Sequence, residues 1–168
     1  MGQLVTVEAV EQKIFLIRNC RVMVDRDIAE LYGVETKYLN RQVKRNKERF
    51  PEEFMFQLTK EEKEELVTNW HRFTSLKHSS TAPFAFTEHG IAMLSAVLNS
   101  KRAVTISILI IKAFVRIREL LSAHNDLARK LQELERKYES HDKQIKAVFD
   151  AIRQLMAPPE KKKYKVGF

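Results

Sequence analysis

Residues 25–50 read DRDIAELYGVETKYLNRQVKRNKERF, and no other stretch restricts the fold as much. The spacing predicts two short helices that cross closely. Ala29 sits in the middle of the first, where a larger side chain would hold the second away. Gly33 follows four residues later, where the first helix must end, and a left-handed backbone there costs glycine nothing. Thr36 is expected to cap the second helix. Ile28, Leu31, Tyr32, Val34, Leu39 and Val43 supply the apolar inner faces. Alanine, glycine four residues on, then a capped basic helix is the pattern of a helix-turn-helix, with Ala29, Gly33, Leu39 and Val43 as its packing residues.

The second helix is expected over 36–50, stopped by Pro51. It carries Lys37, Arg41, Lys44, Arg45, Lys47 and Arg49 against one acid, Glu48. Leu39, Val43 and Phe50 fall on one face; Lys37, Arg41 and Lys44 fall on the opposite one. Tyr38, Asn40 and Gln42 are interleaved. Side chains of these types reach base edges, while lysine and arginine hold phosphates. The candidate DNA-binding residues are therefore Lys37, Tyr38, Asn40, Arg41, Lys44 and Arg45. An ordinary helix pair with a solvated basic face would look similar, so the charge of the whole chain matters. The net charge is +8 and the isoelectric point about 9.6, a field that favours polyanions.

Other classes fare worse. The most apolar stretch, AVTISILII at 103–111, is interrupted by Lys112 and Arg116 and is far short of the roughly 20 residues that span a bilayer. It reads as a buried core helix. The N-terminal region carries no apolar run with a small-residue cleavage site. A single cysteine, Cys20, allows no intrachain disulfide and no cysteine zinc cluster, and fits a reducing cytoplasm. Cys20 is expected to be a small buried hydrophobe.

Around the helix pair, 13–17 and 21–24 read as strands flanking Arg18 and Asn19, and FMFQL (54–58) and FAF (84–86) as two more. Thr59 with Glu62 forms a capping box for KEEKEEL, and Thr87 can cap a helix running to about Asn99. Residues 69–83 have loop composition, and a long helix starts near Lys101. The expected class is α+β: a small helix-turn-helix domain with short strands over 1–119. A long coiled-coil helix over 120–157 and a basic tail over 158–168, with KKKYK, follow it.

Several ordered motifs, LYGVET, KERFPEEFMFQLT, AFTEHGIAMLSAVL and KAFVRIRE, resemble the KilA-N-like DNA-binding family in its ORF-six-N branch, over about residues 12–120. The resemblance implies a small α+β DNA-binding domain attached to a variable C-terminal region, in phage or prophage regulators and antirepressors. It adds no site residues beyond the basic helix.

Catalysis is not expected. Glu88 and His89 are adjacent, and neighbours on a helix point about 100° apart. The acids gather at EEKEE with no histidine or lysine arranged about them as a nuclease would need. No histidines lie at ligand spacing beside a carboxylate, so neither metal nor cofactor is expected. His71, Arg72, Lys77 and His78 can touch phosphate as a wing would, or form a solvated loop.

From residue 120 apolar positions step by four and three: Leu120, His124, Leu127, Leu131, Leu134, Tyr138, His141, Ile145, Val148, Ile152 and Leu155. That length, about five heptads, meets the criterion for a coiled coil. The step continues back through Ile117, Ala113, Ile110, Ile106 and Ala103, so one helix is expected from the domain into the coil. Lys130 with Glu135 and Lys137 with Asp142 pair best in a parallel homodimer. The expected dimer contacts are Leu127, Leu131, Leu134, Ile145, Val148, Ile152 and Leu155. Such a dimer sets two double-stranded-DNA-reading domains at one end, as a palindromic site requires. The alternative is an antirepressor that binds a repressor protein through the same helix.

Overall fold

The computed structural model describes residues 4–138 and 143–158. His141, Asp142 and the KKKYK cluster lie outside the described residues. The chain divides into two compact units, Met1–Val115 and Arg116–Phe168.

The first unit is built on a four-stranded antiparallel sheet of order β1-β2-β4-β3. β1 (Phe15–Ile17) and β2 (Cys20–Val24) form a hairpin. Its two turn residues, Arg18 and Asn19, both have positive φ, 54° and 59°, which matches the twist of the flanking strands. β3 (Met55–Gln57) and β4 (Phe84–Phe86) complete the sheet. The four expected strands are thus present: β1 and β3 are shorter than expected, β2 begins one residue earlier, and β4 has the expected bounds. β2 is buried on both sides, which follows from the two-residue alternation of a strand. Met23 and Phe86 face one core, shared with α2 (Asp25–Tyr32), α3 (Thr36–Arg45), α5 (Glu88–Leu98) and the start of α6 (Lys101–Lys137). Val22, Val24, Phe56 and Ala85 face the other, with Leu66 of α4 (Lys60–Asn69) and Phe73. A short α1 (Val7–Glu11), not anticipated, adds Val10 to the first core.

The capping residues act locally as their sequence suggests. Thr59 and Glu62 make the reciprocal capping box at α4. Thr87 caps α5 by accepting from the Gly90 N–H, and that helix ends at Asn99 in a left-handed conformation. His89 stacks on Phe54 at 5.5 Å between ring centroids, a packing role.

Four expectations need correction. Cys20 is exposed, because it lies at the hairpin end opposite Ile17. Residues 71–78 are not open loop; they wind into 3-10 turns around buried Phe73. The basic helix ends at Arg45, and Lys47–Arg49 is a separate 3-10 turn. There the Asn46 side chain donates to the Gln42 carbonyl at 2.8 Å, while its backbone N–H tightens to Val43. A side chain that competes for the helix acceptor ends the α-helix. Thr36 is the first residue of α3; the capping position is Glu35, which makes no side-chain cap bond.

The second unit contains the 116–137 part of α6 and α7 (Lys143–Met156). Arg153 of α7 pairs with Glu135 of α6. On one straight helix those residues would stand about 27 Å apart, so α7 returns toward α6. The helix expected to run from the domain into the heptad stretch does so as far as Lys137; the expectation of a single helix through 157 is corrected, because α7 is a separate helix. Glu135 is engaged within its own chain, and the Lys137–Asp142 pair lies outside the described residues. Leu131 is buried inside the unit. Leu120, Leu127, Leu134, Ile145, Val148, Ile152 and Leu155 are exposed.

Candidate nucleic-acid interface

The turn between α2 and α3 depends on Gly33, whose φ is +71°. Its N–H donates to the Glu30 carbonyl, and the Val34 N–H donates to Ala29. These two bonds form a Schellman end, which uses the last carbonyls of α2 and turns the chain sharply. Arg102 from α6 adds to it, donating to the Tyr32 and Leu31 carbonyls at 2.9 and 3.3 Å. The Tyr32 hydroxyl meets Ser107 at 2.6 Å, and burial pushes the phenol up to about 12. Ala29 is buried in the shared core with Leu39 and Val43 of α3. α2 is thus fixed at its end and on its inner face, and α3 is carried on it.

Of the six candidate DNA-binding residues, Lys37, Tyr38, Arg41, Lys44 and Arg45 are exposed. At about 100° per residue they occupy one arc of roughly 120°, with Arg41 near its middle and Leu39 and Val43 on the far side. Asn40 differs. It is half-buried and donates through Nδ2 to the Asp25 carboxylate at 2.9 Å.

The missed residues lie beneath this surface. Asp25 and Asp27, at the start of α2, are 4% and 2% exposed. Asp25 accepts from Asn40, from the Phe84 backbone N–H at 3.3 Å and from the Arg26 N–H at 2.7 Å. It joins α2, α3 and β4. Asp27 accepts from Arg72 at 3.0 Å and faces Lys13 at 3.8 Å. Burial raises the pKa of both carboxyls, and their hydrogen bonds oppose that rise. Arg72 also lies over the rings of Phe73, Phe15 and Trp70, at 4.6, 5.1 and 5.6 Å from their centroids. Its guanidinium is engaged with Asp27 and these rings as a latch, so of the expected wing residues His71, Lys77 and His78 are exposed and Arg72 is committed to a partner. Arg26 bonds Ser75, a second tie from α2 to the 71–78 segment.

The family model of the ORF6N domain matches residues 12–97, more than half of the chain. The chain belongs to the ORF6N domain family. No curated protein and no solved structure matches the chain. The ORF6N match begins just before β1 and ends within α5, so it takes in the whole sheet and the α2–α3 pair. Membership suggests a phage-type regulatory or antirepressor-like protein. Among the described residues, no helix is long and apolar enough to cross a membrane.

Proposed function

We propose that this ORF6N protein is a double-stranded-DNA-binding regulator that lays α3 in the major groove and works as a homodimer through its second unit. The observation that carries the reading is the outward face of α3. Four cations and a tyrosine stand exposed on a helix that begins directly after a left-handed glycine turn. Nothing about packing requires that concentration of charge. In a helix-turn-helix this is the side that meets the duplex. Changing Lys37, Arg41 and Lys44 together to alanine is expected to weaken binding to all DNA. The slope of log affinity against log salt should fall by about 0.9 for each phosphate that the variant no longer neutralises. Binding isotherms at several salt concentrations measure this; an unchanged affinity and slope would place the DNA face elsewhere.

The exposed apolar side chains of the second unit support the dimer, because leaving Leu120, Leu127, Leu134, Val148 and Leu155 in water is unfavourable. A chain ending at Val115 is expected to sediment as a monomer where the full chain is a dimer. The same residues support a second reading, an antirepressor that uses this surface on a repressor protein. The same number of chains per particle for both would favour that reading over the dimer.

A further inference from the structure

α3 carries two amide side chains, and neither stands on the outward face. Asn40 is held by Asp25, whose buried carboxylate accepts three donors in all. If Asn40 swung out toward a base, that carboxylate would lose one donor where solvent cannot replace it. Gln42 lies about 100° around the helix from Arg41 and is half-buried. The outward set is therefore Lys37, Tyr38, Arg41, Lys44 and Arg45.

The chemistry of the major groove makes that set selective. Adenine presents an acceptor, N7, beside a donor, the N6 amino group, and its two-point partner is a side chain that both donates and accepts, asparagine or glutamine. Guanine presents two acceptors, N7 and O6, which match the donor-only fork of arginine or the ammonium of lysine. Tyr38 offers one oxygen and so makes no two-point contact with a purine. We infer that α3 reads guanines and not adenines, with Arg41 as the principal reader and Asn40 as a positioning residue pinned by Asp25. This rests on the DNA-binding function proposed above.

Random-site selection on the full chain is expected to enrich a site containing guanine at the α3 contact. Replacing that guanine by 7-deazaguanine, which lacks the N7 acceptor, should weaken binding about tenfold. Inosine keeps N7 and O6 and lacks only the minor-groove amino group, so it should bind as guanine does. Arg41→Ala should reduce the preference for that guanine by about 5- to 150-fold. Asn40→Ala should leave the enriched sequence unchanged, whatever it does to overall affinity. If Asn40→Ala does not fold, the modified bases still decide on the unaltered protein. Enriched adenines that vanish with Asn40→Ala, or full binding to 7-deazaguanine, would overturn the inference. DNA bound with no enriched sequence would sink guanine reading and leave DNA binding standing. No DNA bound at all would sink both.

Discussion

Replacing Gly90 by alanine is expected to destabilise the first unit by about 3 kcal/mol, the upper end of what overpacking a tight site costs. An added Cβ would lie 2.3 Å from the Phe54 carbonyl oxygen. That oxygen cannot withdraw freely. It accepts from the Thr87 backbone N–H at 2.9 Å and from the Thr87 hydroxyl at 3.3 Å, the bonds that seat the α5 cap against the start of β3. Helix propensity acts in the opposite direction, because alanine is favoured over glycine inside a helix by about 1 kcal/mol. The sign of the measured change therefore tells which effect wins. Urea unfolding should show a lower midpoint with an unchanged slope. A stability equal to or above wild type would mean that the backbone here gives way and that the close approach constrains nothing.

Gly90 also shows how far the sequence could be read. Thr87 as a cap was legible, because capping is decided by residues three apart. Gly33 was legible for the same reason: a helix that must stop and turn within one residue needs the left-handed conformation. Thr59, Glu62 and the four strands belong to this local class. The need for Gly90 was not legible, because it comes from a backbone atom 36 positions earlier, Phe54.

Burial of charge was illegible too. DRD at the start of α2 looks like ordinary acids favoured near a helix N-terminus. Nothing local says that Asp25 and Asp27 point inward, since apart from the Arg26 N–H their hydrogen-bond donors come from α3, β4 and Arg72. Spacing alone puts Asn40 among the candidate base contacts and Arg72 in the candidate wing, and it does not reveal their bonds to Asp25 and Asp27. The heptad step likewise records which residues are apolar, and it cannot say whether they meet another chain or a returning segment of the same one. Within the second unit, Leu131 is buried and Arg153 pairs with Glu135 of the same chain.

Arg72→Ala is the other substitution with a large expected effect, and its pH dependence separates two causes. Asp27 is 2% exposed and Arg72 is its near partner at 3.0 Å; Lys13 stands farther off at 3.8 Å. Removing one partner of a fully buried pair costs about 3–5 kcal/mol. The Arg72 side chain is 34% exposed and Lys13 remains, so about 2–3 kcal/mol is expected at neutral pH. Burial already raises the Asp27 pKa, with Arg72 pulling it down, so the substitution raises it further. A carboxyl whose folded pKa lies above its unfolded value, about 3.9, contributes stability that is complete below that value. That stability is lost as pH rises through the folded pKa. The deficit of the variant against wild type should therefore be larger at pH 7.5 than at pH 4.5, because it shrinks as Asp27 becomes protonated and needs no cation. Glu62, held low by Arg18, titrates the opposite way in both proteins and cancels in the difference. Urea midpoints for wild type, Arg72→Ala, Asp27→Asn and the double variant at both pH values decide the matter. If the Arg72→Ala deficit is the same at pH 7.5 and pH 4.5, its source is the missing stacking on Phe73, Phe15 and Trp70. The Asp27 charge would then play no part in holding the 71–78 segment to α2.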